Sequence, residues 1–426
     1  MEFKVTPAKR LFGSIILPGD KSISHRAIML SSIANGTSRI RNFLYSADTG
    51  ITISAFRALG INIQESRGEI IVNGKGRLGL SKPPTHLYMG NSGTTMRILM
   101  GILAGQPFQV ILTADDSLSK RPMGRVTEPL RTMGAEIVGK DEANYAPITI
   151  HGRKLKAIDC ISKIASAQVK SAIILAGLYA DGITSVIEPS KSRDHTERML
   201  RAYGAQVSIE GLKVSIKGGV ELKSQDVEIP GDISGAAFFI VGAAIAKGSS
   251  IVLRSGINPT RSGVIDILKM MGAKINIKNI KETVSEPIGD ICVESSDLHG
   301  ISMEGDLIPR AIDELPVVMV AAAYAEGMTV IRGAHELRYK ETDRINSMAI
   351  NLKAMGAGFS VKGDEITIVG SKNLKGIRAR SFGDHRTAMS MVIAGLAAQG
   401  ETTIDDVDCV IKSYPDFVKH LQTLLV

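Results

Sequence analysis

One pattern recurs six times along this chain, and it limits the fold more than any other feature. Each copy has a polar stretch, an Ala-rich apolar segment, a closing glycine and a run rich in Thr, Ser, Val and Ile. The apolar segments read SHRAIMLSSIANG, TTMRILMGILAG, VKSAIILAGLYADG, SGAAFFIVGAAIAKG, ELPVVMVAAAYAEG and RTAMSMVIAGLAAQG. Their closing glycines, Gly36, Gly105, Gly182, Gly248, Gly327 and Gly400, lie 69, 77, 66, 79 and 73 residues apart. Each copy predicts a helix stopped by glycine in the left-handed region and followed by a strand. A second marker follows 22 to 29 residues later in the first five copies, ending at Gly60, Gly134, Gly204, Gly272 and Gly356. It predicts an amphipathic helix that turns into strands such as AEIV and AKINI. The sixth copy reaches this point near His420 to Val426. The unit is thus βαβαββ, used six times. Two markers that keep step make chance recurrence of Ala-rich helices a poor account.

The halves also correspond. Pro18-Gly19-Asp20-Lys21-Ser22 opens the first Ala-rich helix, and Pro230-Gly231-Asp232-Ile233-Ser234 opens the fourth, 212 residues later. These read as two crossings between domains. Residues 21–231 are expected to form one three-repeat α/β domain, and residues 1–20 with 232–426 the other. Two linking strands would make a hinge. A chain of 426 residues, 44% hydrophobic and 22% charged, has the apolar content for two cores.

The net charge of +8 points to anionic partners or to a merely basic surface. Nucleic acid fits less well, because no Lys/Arg block and no aromatic-studded RNA motif occurs. Cys160, Cys292 and Cys409 are too far apart for a CxxC pair or a metal motif. The segment MEFKVTPAKR has no apolar leader core, and runs such as Ala236 to Ala246 fall short of the ~20 residues of a membrane span. A cytoplasmic protein with no membrane partner is expected.

Polar residues gather just before the Ala-rich helices: Lys21, Ser22 and Arg26; Asn91, Ser92, Gly93, Thr94 and Arg97; Ser166, Gln168 and Lys170; Asp232 and Ser234; Arg310, Asp313 and Glu314; Asp384, His385 and Arg386. Helix N-termini carry unpaired N–H groups and about half a positive charge. Helix starts directed at one gap would form an anion trap. Capping alone accounts for Ser22 or Asp232. It does not account for Lys21, Arg26 or Arg386, cations at positive helix ends, which cost energy unless an anion answers them. Ser119-Lys120-Arg121-Pro122-Met123 and Arg338-Tyr339-Lys340-Glu341-Thr342-Asp343-Arg344 add two dense charged segments. The second reads either as a solvated charge run or as a grip on phosphate and carboxylate with a proton to move. Arg344 and Arg386 suit bidentate contact with such groups.

Two motifs are decoys. Gly74-Lys75-Gly76-Arg77-Leu78-Gly79 fits a dinucleotide fingerprint, but LSKPP follows where a helix is needed. Gly19-Asp20-Lys21-Ser22 has Asp where a P-loop needs Gly. The eight histidines show no HExxH spacing, so no metal site is expected. His25, His195 and His335 read as ordinary polar residues.

The motifs LPGDKSISHRA, GNSGTTMR, KRPMGRV, ASAQVKSA, RYKETDR and GDHRTAM, in that order, resemble those of the EPSP synthase (3-phosphoshikimate 1-carboxyvinyltransferase) family of enolpyruvyl transferases. The resemblance runs from Leu17 to Pro415 and implies two inside-out α/β domains, each of three βαβαββ-type repeats. It implies transfer of the enolpyruvyl group of phosphoenolpyruvate to the 5-hydroxyl of shikimate 3-phosphate, with release of phosphate and no cofactor, on the way to chorismate and the aromatic amino acids. Lys21, Ser22, Arg26, Ser166, Ala167, Gln168, Arg193, Asp313 and Lys340 would hold shikimate 3-phosphate. Ala167 stands where many members have a second Ser, and Arg193 is a candidate replacement contact. Lys21, Asn91, Gly93, Arg121, Gln168, Arg344, His385, Arg386 and Lys412 would hold phosphoenolpyruvate. Asp313 and Glu341 would be the acid/base pair, with Lys21 beside the reacting groups. Gly93 would leave room for the herbicide glyphosate, so sensitivity is expected, although Thr95 and Ile98 occupy positions that often differ in the family's best-known branch. The expected partners are these two small molecules, with no nucleic acid, and the expected state is a monomer. The sister enzyme acting on UDP-N-acetylglucosamine usually carries a reactive Cys where this chain reads TADDSLSKRPMG. A basic nucleic-acid scaffold on the same repeat would not need Asp313 and Glu341 beside lysines.

Overall fold

A computed structural model describes residues 1–66, 68–283 and 285–426. Each repeat has a central helix: Lys21–Ile33, Gly93–Ala104, Ala167–Gly177, Ile233–Ile245, Leu315–Tyr324 and His385–Gly395. Six outer helices follow them: Ala47–Ala58, Gly124–Thr132, His195–Ala202, Gly263–Met270, Arg344–Met355 and Phe417–Leu424. The central helices are buried on nearly every face. In Leu315–Tyr324, for example, every residue from Leu315 to Ala323 is buried.

The second repeat shows how each unit closes. Leu87–Tyr88 pairs in parallel with Gln109–Thr113. That strand pairs antiparallel with Tyr145–His151, which pairs antiparallel with Glu136–Gly139. The order is βαβαββ, with both helices on crossovers. The same order recurs in the third repeat, Asp159–Ile161, Ile183–Ile187, Lys213–Lys217, Val207–Glu210, and in the fifth, Ser302–Met303, Met328–Arg332, Glu365–Val369, Gly358–Lys362.

Distant segments complete the remaining sheets. Leu222–Lys223 and Val227–Glu228 pair in parallel with Ala34–Arg41 and lead the first sheet. Phe12–Ile16 leads the fourth beside Ser250–Gly256. Phe3–Val5 lies antiparallel to Thr402–Ile404 and stands in for the missing last strand of the sixth.

The second glycine marker is a helix-stop device in all five copies. Gly60, Gly134, Gly204, Gly272 and Gly356 have φ of 87°, 105°, 90°, 91° and 104°. In each, the glycine N–H bonds three residues back and the next N–H five back, as in Gly356 to Lys353 and Ala357 to Leu352. This Schellman pairing satisfies the last carbonyls of the outer helix. The first marker works differently from expectation. Its helices end one to five residues before the glycine, as at Ile33 and Tyr324, and the glycine turns the chain into the strand. Gly105 is not left-handed at all, with φ −95°. It is required because the Tyr179 ring occupies the place of a side chain, with Cγ 2.2 Å from where a Cβ would stand.

The chain divides into two units. One holds Met1–Pro18, Pro230–Glu282 and Pro287–Val426; the other holds Gly19–Ile229 and Thr283–Glu286. Each has its own apolar core. We call the Gly19–Ile229 unit the N-terminal unit and the other the C-terminal unit. The glycines of the two PGD sequences stand at the crossings for a steric reason. A Cβ on Gly19 would lie 1.9 Å from the Asn42 carbonyl oxygen, and one on Gly231 2.5 Å from that of Arg254. Thr283, Ser285 and Glu286 group with the N-terminal unit, although the paired strands Lys274–Glu282 and Pro287–Glu294 on either side belong to the C-terminal unit. Among the described residues no helix is long and apolar enough to cross a membrane.

Candidate active site

In the N-terminal unit the nominated residues sit on the starts of three central helices. Lys21 and Ser22 open Lys21–Ile33, capped by Asp20, whose side chain accepts from the Ile23 N–H at 2.9 Å. Asp20, and not Ser22, is therefore the cap. Asn91 and Gly93 open Gly93–Ala104, capped by Ser92. Ser166 caps Ala167–Gly177, with Ala167 and Gln168 in its first turn.

Buried polar contacts tie these three starts together. Arg26 donates through Nε to Thr196 Oγ1 (2.6 Å) and through its terminal nitrogens to Ser171 Oγ (2.9 Å) and the Ser22 carbonyl (2.9 Å). Burial lowers its pKa to about 10, against the opposing pull of Glu197 and Asp20. His25 Nδ1 meets Thr52 Oγ1 at 2.6 Å, and Thr52 meets Thr95 at 2.7 Å. Burial first, then the charges of Lys21 and Arg26, hold the His25 imidazole well below its ordinary range. Arg97 donates to Gln168 Oε1 at 2.8 Å, and Gln168 donates to Thr94 at 3.0 Å. Arg121 donates to Asn91 Oδ1 at 2.7 Å, and Asn91 is held by Asp115. Gly93 lies between the two guanidiniums: a Cβ there would be 3.1 Å from Arg97 Nη1 and 3.5 Å from Arg121 Nη1. Lys21 Nζ pairs with Asp48 at 3.1 Å. Arg193, in the loop before His195–Ala202, is close enough to Arg26 to oppose its charge.

Behind this face lies a buried triad. Lys170 Nζ is 2.8 Å from Glu188 and 2.7 Å from Glu197, and none of the three side chains is more than 3% exposed. Burial alone would lower the Lys170 pKa, yet Glu197 and Glu188 raise it, so it stays charged. The triad fixes both ends of the Glu188–Asp194 loop that carries Arg193. The cavity of about 210 Å³ in this unit lies elsewhere, beside Met199, Tyr203, Asp226 and Thr283, and none of the nominated residues lines it. Small anions are held by oriented N–H groups and cations, which need no apolar hollow.

The C-terminal unit repeats the architecture with different chemistry. Arg344 begins Arg344–Met355 and is 1% exposed. It donates to Asp384 (2.9 Å), Glu341 (2.6 Å) and Asp313 (3.4 Å). Burial alone would lower its pKa; Asp384, then Glu341 and Asp313, outweigh that and raise it. Lys340 Nζ reaches Asp313 Oδ1 at 3.2 Å. Arg386, in the first turn of His385–Gly395, donates to the Asp313 carbonyl (2.9 Å) and Ser234 Oγ (3.2 Å). It also stands 3.5 Å from Glu314 Oε1. Glu314 is fully buried and is gripped by Arg261 at 2.7 Å and by Ser234. Asp384 caps its helix, accepting from Arg386 N–H (2.7 Å) and Thr387 N–H (3.1 Å). His385 is buried at the first position of that helix. Lys412 ends the turn Asp408–Lys412, three residues from Cys409, whose thiol pKa is raised to about 12, chiefly by burial.

One placement differs from the sequence reading. Arg310 turns away from the cluster to Asp266 and the Pro259 carbonyl. Arg261, Asp48, Asp115, Glu188 and Glu197, which the sequence did not single out, are integral partners. Asp115 and Glu197 lie beside charged segments but, like the others, find their partners only through tertiary packing.

Fold and side chains together define a class: an α/β enzyme that presents cations at the starts of its central helices and keeps carboxyl groups among them, suited to small anionic substrates. Residues 5–421 match the EPSP synthase (3-phosphoshikimate 1-carboxyvinyltransferase) family. The chain is 50% identical over 425 residues to the 3-phosphoshikimate 1-carboxyvinyltransferase of Geotalea uraniireducens, covering 100% of this chain and 99% of that one. It is 51% identical over 415 residues to that of Bacillus anthracis, covering 97% of each. A solved structure of EPSP synthase from Acinetobacter baumannii superposes with a TM-score of 0.89 at 47% identity, over 100% of this chain and 98% of that chain. The chain belongs to the EPSP synthase family.

Proposed function

We propose that this enzyme transfers the enolpyruvyl group of phosphoenolpyruvate to the 5-hydroxyl of shikimate 3-phosphate, and that the residues described above divide the work. The observation that carries the assignment is the Asp313–Lys340–Arg344–Glu341 cluster, two carboxyl groups and two cations on one side of the C-terminal unit. Family membership supplies the reaction; the cluster supplies groups of the right chemistry.

In the addition step the 5-hydroxyl loses its proton and its oxygen bonds C2 of phosphoenolpyruvate, while C3 gains a proton and becomes a methyl group. In the elimination step the methyl group loses a proton, the C2–O bond to phosphate breaks, and phosphate leaves. Both protons need a positioned base and acid. Asp313, held by Lys340, serves the hydroxyl, and Glu341, held by Arg344, serves the methylene carbon. Arg344, Arg386, His385, Lys412, Arg121, Asn91, Gly93, Gln168 and Lys21 bind phosphoenolpyruvate. Lys21, Ser22, Arg26, Ser166, Ala167, Gln168, Arg193 and Lys340 bind the phosphorylated acceptor. Cations stabilise the charge that builds on the departing phosphate. We take the two units as the domains of the enzyme, with bending at Pro18–Gly19 and Ile229–Pro230 excluding water from the reactants. The reading extends to a monomeric cytoplasmic enzyme that needs neither cofactor nor nucleic acid.

The test is release of inorganic phosphate. It should require both substrates and match the phosphoenolpyruvate consumed, with UDP-N-acetylglucosamine inert as acceptor. Phosphate release with that sugar, or none with shikimate 3-phosphate, would overturn the assignment.

A further inference from the structure

Thr283 and Glu286, between the strands Lys274–Glu282 and Pro287–Glu294, do something the sequence pattern does not suggest. Thr283 Oγ1 accepts from the Glu286 N–H at 3.0 Å and donates to the Glu286 carbonyl at 2.7 Å, locking the turn. The turn delivers the Glu286 carboxylate to His195 Nδ1 at 2.7 Å, with the two side chains 1% and 2% exposed. A carboxylate is costly to bury without a defined purpose or a full set of partners. Here it meets the first residue of the His195–Ala202 helix, where the helix dipole also favours a negative charge. The next residue, Thr196, accepts the Nε–H of Arg26 and meets Ser171 at 2.6 Å. Glu286 is itself among the charges that act on Arg26. Arg193 precedes His195 by two residues.

We propose that Glu286 is a positioning residue for the shikimate 3-phosphate half-site, acting through His195 to fix the first turn of the His195–Ala202 helix and, with it, Arg26 and Arg193. The inference rests on the assignment of those arginines to the phosphorylated acceptor. Glu286 touches no substrate in this scheme. It sets where two cations stand, so its loss weakens one substrate far more than the other.

The experiment compares wild type, Glu286→Ala and Glu286→Gln by calorimetric titration of shikimate 3-phosphate and by steady-state phosphate release. Glu286→Ala should weaken shikimate 3-phosphate binding about tenfold or more, because a charge-assisted contact in a buried chain is lost. The KM for phosphoenolpyruvate should move less than about threefold, a selectivity that general destabilisation does not produce. Glu286→Gln, which keeps an acceptor for His195, should recover most of the affinity. Should the alanine variant not fold, Glu286→Asp, one methylene shorter, carries the same readout. An unchanged affinity in a folded variant, or equal weakening of both substrates, overturns the proposal. A wild-type enzyme that neither binds shikimate 3-phosphate nor releases phosphate overturns the assignment of the site itself, and the inference with it.

Discussion

The two units build their helix starts in the same way and fill them with different chemistry. Within the N-terminal unit, Arg26, Arg97 and Arg121 are steered by neutral groups: Thr196 and Ser171, Gln168, and Asn91. Within the C-terminal unit, Arg344, Arg386 and Arg261 are steered by carboxylates: Asp384, Glu341, Asp313 and Glu314. Hydroxyls and amides orient a guanidinium without themselves cancelling its charge. One surrounded by carboxylates has its charge largely answered by them. The first arrangement suits gripping a phosphate. The second suits holding a small carboxylate while protons move. The reaction needs both, and the repeat allowed one scaffold to be specialised twice.

That contrast can be broken at its acid end first. Asp313→Asn removes the proposed base while keeping the side chain's shape. Turnover should fall about 10²- to 10⁴-fold with the fold intact, as measured by phosphate release and circular dichroism. Turnover within a few-fold of wild type would take Asp313 out of the mechanism. The N-terminal unit's own buried carboxylates offer the next test. Glu188 and Glu197 both pair with Lys170 in the interior. Lys170→Met would strand them, and should cost about 3–5 kcal/mol of stability by urea unfolding. A cost below about 1 kcal/mol would show that the triad is not what fixes the Arg193 loop.

The smallest effect concerns His25, the imidazole beneath Lys21 and Arg26. Its folded pKa lies well below the ordinary 6.5, chiefly through burial. Below about pH 6.5 the unfolded chain binds a proton that the folded chain refuses, so stability falls as pH drops through that value. The contribution is at most about 1.4 kcal/mol per pH unit. His25→Asn should flatten the dependence of the unfolding midpoint between pH 6.5 and 5. An unchanged slope would assign it to other groups.

Much of the architecture was legible because its signals are local. The five Schellman glycines sit next to the carbonyls they satisfy, so Gly60 or Gly356 marks a helix end without any tertiary knowledge. Basic residues at positive helix ends are equally local, and Lys21, Arg26 and Arg386 stood out for that reason. What escaped depends on distant pairing. Arg261 finds Glu314, and Lys21 finds Asp48, only through the packing of separate helices. The closing glycine Gly105 was misread because its constraint is the Tyr179 ring, in another repeat. A third glycine marker went unread altogether. Gly152 and Gly370 each follow the last strand of a repeat, where a Cβ would come within 1.9 Å of the carbonyl of Gln106 or Ala325 at a central helix end. Strand replacement by Phe3–Val5 and Phe12–Ile16 was invisible because the partners lie hundreds of residues away.

The division of labour itself is tested most directly by steady-state phosphate release from one variant on each side, Gln168→Ala and Glu341→Gln. Gln168→Ala should raise the KM for shikimate 3-phosphate about tenfold or more with kcat within about threefold, as loss of uniform binding requires. Glu341→Gln should lower kcat at least about 100-fold with that KM nearly unchanged. Were both substitutions to depress the same parameter by similar factors, the two units would not be specialised as described.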